Sequence, residues 1–75
     1  MDSKNEILVK FGERVRQIRK KNNLSQEELA FQANVHRTYI GMVERAEKNI
    51  TLLNIKKIAD ALKVQISELM EINNG

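Results

Sequence analysis

Apolar residues recur along the chain at the spacing of three and four residues that places side chains on one face of an α-helix. In the first segment, about residues 5 to 21, this stripe consists of Ile7, Leu8, Phe11, Val15 and Ile18. The chain contains no Pro and only three Gly, and helix-period positions continue almost to its end. The pattern predicts an all-α fold whose first helix occupies about residues 5 to 21.

A second and a third helix are predicted on either side of a short turn. Ser25 opens a Ser-Gln-Glu-Glu sequence, in which its hydroxyl can accept from the Glu28 N–H while the Glu28 carboxylate accepts from the Ser25 N–H. This capping box predicts a helix over about residues 26 to 33. Asn34 suits its end, because Asn tolerates the left-handed conformation. One residue later a new helical pattern starts with His36, so the two helices cross steeply.

Two further helices follow a break in the periodicity at residues 46 to 50. Thr51 can cap a fourth helix. Its apolar stripe consists of Leu52, Ile55, Ile58, Ala59 and Leu62. A short fifth helix, over about residues 66 to 72, carries Ile66, Leu69, Met70 and Ile72. We therefore expect residues 1 to 75 to form one domain of five helices.

The composition argues against an enzyme and against a metal site. There is no Cys and a single His, so disulfides are excluded and His36 has no companion ligand for zinc at a suitable spacing. Glu27 and Glu28 diverge by about 100° on a helix, and a chain of this size offers no substrate cleft. We expect no catalytic residue, no cofactor and no metal.

Neither a signal peptide nor a membrane span is visible in the sequence. The amino terminus has no apolar core, and no apolar run approaches the roughly 20 residues that cross a bilayer. The sequence therefore predicts a cytoplasmic protein without membrane contact.

Positive charge is concentrated in the first third of the chain. The net charge is +3, but residues 1 to 25 carry seven Lys or Arg against three Asp or Glu, whereas the other fifty carry six against seven. The basic residues that predominate there are Lys10, Arg14, Arg16, Arg19, Lys20 and Lys21. Such a segment can neutralise DNA phosphates, or it can be an ordinary solvated helix face.

The second and third helices resemble the helix-turn-helix of the Cro and repressor family, also called Xre-like. The resemblance is carried by Leu24-Ser25-Gln26-Glu27-Glu28-Leu29-Ala30, Asn34-Val35, Ile40, Val43 and Glu44-Arg45. It covers about residues 7 to 70 and implies a five-helix DNA-binding domain with its helix-turn-helix at residues 25 to 45. Asn34 stands where the family usually has Gly, and Asn can adopt the same conformation.

A narrower resemblance connects the chain to the controller proteins of restriction-modification systems. It is carried by the run from His36 to Arg45, with its Arg-Thr-Tyr and Glu-Arg elements, and by Lys48 to Leu52. Such controllers are small dimeric transcriptional regulators, which implies double-stranded DNA as a partner and allows RNA polymerase as another. An antitoxin, a phage repressor or a helical protein-interaction module remain alternatives.

Candidate base-reading residues lie on the third helix. Burial of Ile40 and Val43 turns its other face outward. That face consists of Arg37, Thr38, Gly41 and Met42. Arg37 can bond guanine O6 and N7 together, and Thr38 can meet a base edge or a thymine methyl; a phosphate contact is the alternative for Arg37. Met42 can touch a thymine methyl or simply fill space at the surface.

Other residues are candidates for the DNA backbone. The resemblance implies that Gln26 contacts a phosphate, and the N–H groups at the start of its helix suit the same role. The further backbone candidates are Tyr39, Arg45, Lys48 and Asn49. Tyr39 can instead be a partly buried packing residue.

Two structural roles complete the expectations. Glu44 would repel phosphates unless it were neutralised, and the resemblance pairs it with Arg19 of the first helix. A homodimer is expected because one such module reads few bases, and segment 62 to 72 is the expected interface. Its apolar residues are Val64, Ile66, Leu69 and Met70, which alternatively only close the core of one domain.

Overall fold

The computed structural model describes residues 5 to 71, which contain five helices. These are α1 (Glu6–Lys21), α2 (Gln26–Ala33), α3 (Arg37–Glu44), α4 (Leu52–Leu62) and α5 (Ile66–Leu69). The described part contains no strand, which confirms the all-α prediction. The fifth helix ends at Leu69, and Ile72, predicted as part of it, lies outside the described residues.

The second and fourth helices begin at the capping residues that the sequence predicts, Ser25 and Thr51. Ser25 Oγ accepts from the Glu28 N–H at 2.9 Å, and Glu28 Oε1 accepts from the Ser25 N–H at 2.8 Å, which satisfies two otherwise unpaired donors. Thr51 Oγ1 accepts from the Asn54 N–H at 3.2 Å. His36 occupies the N-cap position of α3 without a side-chain hydrogen bond.

A left-handed residue reverses the chain between α2 and α3. Asn34 adopts φ 59° and ψ 47°, and the Val35 N–H donates to the Ala30 carbonyl at 3.0 Å. Asn at this position costs less than most side chains would. Asn34 therefore has the left-handed conformation that was predicted for it, and local hydrogen bonds close the turn so that α3 can start at Arg37.

The core lies where α2 meets α3 and α4, with α1 packed across α3. Its largest fully buried side chains are Val15, Leu29, Ile40, Ile58, Leu62 and Leu69. Full burial of one such side chain stabilises the folded state by about 1.5 to 3 kcal/mol. Every helix supplies at least one of these residues, so the orientation of α3 is fixed by the whole domain.

A glycine allows α1 to approach the end of α3 closely. Gly12 is buried, and a Cβ at this position would lie 2.5 Å from the Val43 carbonyl oxygen and 2.8 Å from that of Glu44. Both obstacles are backbone atoms, which cannot move as a side chain can. No role was predicted for Gly12 from the sequence. Gly12 follows Leu8 by four residues and precedes Val15 by three, so its place in the apolar stripe was the available signal.

Among the described residues, none of the helices combines the length and the apolar character needed to cross a membrane.

Candidate nucleic-acid interface

The amino-terminal turn of α3 presents two polar side chains to solvent. Ile40 and Val43 are buried in the core, whereas Arg37 and Thr38 are exposed. Because α3 is held from behind by those apolar contacts, its first turn projects from a rigid base. The structure thus places both predicted base readers where a ligand can reach them, and their role remains a prediction.

Gly41 does not face outward as the helical spacing predicted. It is buried, and a Cβ there would lie 3.0 Å from Arg45 Nη1 and 3.5 Å from Gln26 Oε1. The absent side chain therefore makes room for two other side chains of the same protein. Close approach to DNA is not needed to explain this glycine. Met42, on the same face, is half-buried.

A buried ion pair joins α1 to α3. Arg19 Nε donates to Glu44 Oε2 at 2.6 Å, and Nη2 donates to Oε1 at 3.1 Å. The third donor, Nη1, bonds the Leu24 carbonyl at 2.8 Å. The Glu44 side chain is only 3% exposed, so a bidentate pair balances its charge where water cannot. The structure contains the pair expected for these two residues.

Gln26 is attached to the same cluster. Its Nε2 donates to Glu44 Oε1 at 3.0 Å, an interaction that was not predicted from the sequence. An amide nitrogen carries two hydrogens, so one can bond Glu44 while the other meets a phosphate. Glu44 therefore orients Gln26 at the start of α2, beside the covered Gly41.

Tyr39 packs against the core, which is one of the two alternatives that the sequence left open; its contact with the DNA backbone stays a prediction. Its ring is half-buried against the core, and its hydroxyl accepts a hydrogen bond from Asn54 Nδ2 at 3.0 Å. The ring is thus a packing residue, while the hydroxyl takes part in a partly buried hydrogen bond between α3 and α4. Asn54 is a further residue that the sequence pattern did not single out.

The loop after α3 adds exposed polar side chains. Arg45, Lys48 and Asn49 are exposed, and Arg45 Nε lies 3.2 Å from Glu47 Oε1. Surface ion pairs of this kind contribute about 0 to 1 kcal/mol to stability. A DNA phosphate could therefore replace Glu47 as the partner of Arg45 at little cost in free energy. The three predicted backbone candidates therefore lie on one exposed loop.

The basic amino-terminal segment is only partly a basic surface. Arg14 Nε donates to the Glu68 carbonyl at 3.1 Å and Nη2 lies 3.4 Å from Glu71 Oε1, so Arg14 ties α1 to α5. Arg19 is buried, and Lys10 lies 3.6 Å from Glu6. Three of the six cations are exposed and form no ion pair with any residue between 5 and 71. These are Arg16, Lys20 and Lys21.

The proposed interface segment needs a correction at Leu69. Leu69 is fully buried inside the domain, so its side chain closes the core and is not available to a second copy. Val64 and Ile66 are half-buried, packed against the core, and Met70 is 38% exposed. Only part of the expected apolar surface therefore faces solvent on α5.

Two apolar side chains at the start of α4 are more exposed than Met70. Leu52 is 72% and Leu53 68% exposed, although Leu52 was assigned to the buried stripe. The first turn of α4 projects beyond the core that Ile55 and Ile58 reach. Leu53 could have been recognised from the sequence, because it lies about 160° around the helix from Ile55.

Phe31 on α2 is the most exposed large apolar side chain among the described residues, at 85%. It borders a shallow depression between α2 and the start of α3, together with Glu27, Asn34 and Arg37. Since Leu29, Ala30 and Ala33 define the buried face of α2, the helical spacing alone places Phe31 outside it. Its exposure could therefore have been predicted from the sequence, and was not.

Comparisons with known proteins agree with this arrangement. A family model described as helix-turn-helix matches residues 15–69. The control protein C.BamHI of Bacillus amyloliquefaciens is 52% identical over 68 residues, which cover 89% of this chain and 84% of the relative. The crystal structure of the restriction-modification controller protein C.AhdI from Aeromonas hydrophila is 50% identical with a TM-score of 0.82, and the match covers 83% of this chain and 94% of that chain.

A third comparison concerns a protein solved with a ligand. The controller C.Esp1396I bound to a 19 base pair DNA duplex matches with a TM-score of 0.83 and 31% identity. The match covers 89% of each chain.

Proposed function

Since the chain belongs to the helix-turn-helix family, and within it to the control proteins of restriction-modification systems, we propose that it binds a pseudopalindromic operator as a homodimer and so regulates transcription of such a system. The observation that carries the proposal is the exposed first turn of α3, held from behind by the core and by the Arg19–Glu44 pair. A similar protein has been solved with duplex DNA.

Base recognition is assigned to α3. The Arg37 guanidinium can bond guanine O6 and N7 together, and Thr38 can bond a base edge or pack on a thymine methyl. Half-buried Met42 is a weaker candidate for a methyl contact. Because α3 is anchored at Ile40 and Val43, these side chains would enter the major groove without rearrangement of the domain.

Backbone contacts would set the register of α3 on the duplex. Gln26, oriented by Glu44, contacts one phosphate together with N–H groups at the start of α2. Tyr39 and the loop residues Arg45, Lys48 and Asn49 contact the strand beyond α3. These contacts carry no sequence information, so their loss should weaken binding to all duplexes alike.

The second copy is proposed to pack on apolar side chains of α4 and α5. Leu52 and Leu53 lie in the first turn of α4, which the hydrogen bond from Asn54 to Tyr39 holds against α3. A subunit on the next half-site would meet them beside the proposed DNA face. We therefore extend the interface from Val64, Ile66 and Met70 to these leucines. Two-fold pairing would remove their exposed surface from water.

Phe31 is proposed to contact RNA polymerase, the second partner that the resemblance allows, at a promoter where the protein acts as an activator. Its ring points away from the core beside the DNA-facing turn, where a protein on neighbouring DNA can meet it. Phe31→Ala should then leave DNA affinity unchanged and reduce activated transcription in a reconstituted assay. If DNA affinity and activated transcription fell equally, Phe31 would be assigned to DNA binding instead.

Selection of bound sites from random duplex DNA tests the function as a whole. We expect two related half-sites in inverted orientation, with centres about 10 base pairs apart. The regulator acts on DNA, so we also expect it in the cytoplasm. Enrichment of no sequence, with affinity that is independent of salt, would contradict the proposal.

A further inference from the structure

One hydrogen bond connects α3 with the start of α4. Asn54 Nδ2 donates to the Tyr39 hydroxyl at 3.0 Å, in a partly buried position. The Tyr39 ring is itself packed against the core. The hydroxyl is thus held from two sides, by ring packing and by the amide.

The local structure of α4 directs Asn54 toward this contact. Asn54 is the third residue after Thr51, whose Oγ1 accepts from the Asn54 N–H at 3.2 Å. At the equivalent position of α2, Glu28 turns back to the Ser25 N–H. Asn54 occupies the same position relative to its N-cap residue as Glu28, but its side chain extends across to α3. Its amide is therefore used between helices rather than within the cap.

The direction of this hydrogen bond determines what the hydroxyl can do next. An amide nitrogen only donates, so the phenol oxygen accepts, and the phenol O–H hydrogen is left to donate. A hydroxyl that accepts one hydrogen bond also becomes a better donor in the next. The arrangement suits a ligand atom that can only accept, such as a phosphate oxygen.

We propose that Asn54 is a positioning residue for DNA binding, which holds the Tyr39 hydroxyl as a donor to a non-bridging phosphate oxygen. The inference rests on the proposed DNA-binding function and assigns one of its backbone contacts. Guanine N7 and O6 are acceptors too. Phosphate is favoured because Tyr39 lies on the half-buried side of α3, away from the exposed Arg37 and Thr38.

A double-mutant cycle on the selected operator tests the coupling. Tyr39→Phe should weaken binding about tenfold, the size expected for a hydrogen bond to a charged group. Asn54→Ala should weaken it about fivefold when Tyr39 is present, but by less than about twofold in the Tyr39→Phe protein. Gln17→Ala removes an exposed amide on α1 and should change nothing.

A second variant separates positioning from a purely structural role. Asn54→Asp replaces the donor by an acceptor, which would capture the hydroxyl hydrogen. Repulsion between the added charge and DNA is the same with and without the Tyr39 hydroxyl. Capture of the hydroxyl hydrogen is possible only when Tyr39 is present, so Asn54→Asp should weaken DNA binding more in that protein than in the Tyr39→Phe protein. Melting curves of every variant verify the fold.

The outcomes distinguish this inference from the function on which it rests. Equal losses from Asn54→Ala with and without the Tyr39 hydroxyl, or no loss at all, would overturn the positioning role. A change of preference at one base pair in Tyr39→Phe would replace the phosphate by a base acceptor and overturn that assignment. If the unmodified protein binds no duplex, the proposed function itself fails.

Discussion

At the scale of single residues, the exposure of most candidate positions followed from helical spacing, and the exceptions have physical causes. Burial of Ile40 and Val43 correctly placed Arg37 and Thr38 in solvent. Gly41 was assigned to the wrong environment, because the side chains that cover it come from α2 and from the residue after α3. Spacing within one helix carries no information on side chains that reach over from elsewhere.

The two buried helical glycines should respond differently to a methyl group. Gly12→Ala places Cβ against backbone carbonyls and should lower the free energy of unfolding by about 1 to 3 kcal/mol, as overpacking does. Gly41→Ala meets only the flexible ends of Arg45 and Gln26, so the better helix propensity of Ala, about 1 kcal/mol, should offset the crowding. Urea unfolding of both variants checks this, and equal destabilisation would contradict it.

At the scale of helices, the order and nearly all the bounds could be predicted from the sequence. The cap of α2 and the turn at Asn34 depend on residues that are close in the sequence, so both could be predicted from it. The dimer surface was less predictable. Whether Leu69 or Leu52 reaches the core depends on how α4 and α5 pack, which the period of either helix does not specify.

The cluster around Glu44 links three of these helices and should contribute strongly to stability. Glu44→Ala leaves Arg19 and the Gln26 amide without their shared acceptor, and we expect a loss of about 3 kcal/mol, because one buried charge remains unpaired. Glu47→Ala is the matched control: it removes a carboxylate from an exposed pair with Arg45 and should cost less than about 1 kcal/mol. A melting temperature unchanged in Glu44→Ala would refute this role.

At the scale of the molecule, one helix-turn-helix module reads only a short site. Membership of a family of control proteins favours the regulator over the other interpretations of the sequence, including a protein-interaction module, and agrees with the expectation that the chain is not an enzyme. The exposed leucines of α4 supply apolar surface that the core does not use. Association of two copies would explain both that surface and the need for two half-sites.

Replacement of the two leucines should separate association from folding. Leu52→Glu combined with Leu53→Glu should yield a folded monomer, because both side chains are largely exposed, and should abolish cooperative binding to two half-sites. Sedimentation at micromolar concentration measures the first and a titration of the full operator the second. Lys56→Glu, on an exposed position of the same helix, controls for added negative charge. A double variant that remains a dimer would place the interface elsewhere.

The central claim, that α3 reads bases through Arg37, is tested most directly by the affinity of Arg37→Ala for an operator and for its single-base variants. We expect a loss of about 1 to 3 kcal/mol on the operator and no remaining preference at one guanine position, with preferences elsewhere intact. A uniform loss on every duplex, with all preferences retained, would show that Arg37 contacts only the backbone and would contradict the account.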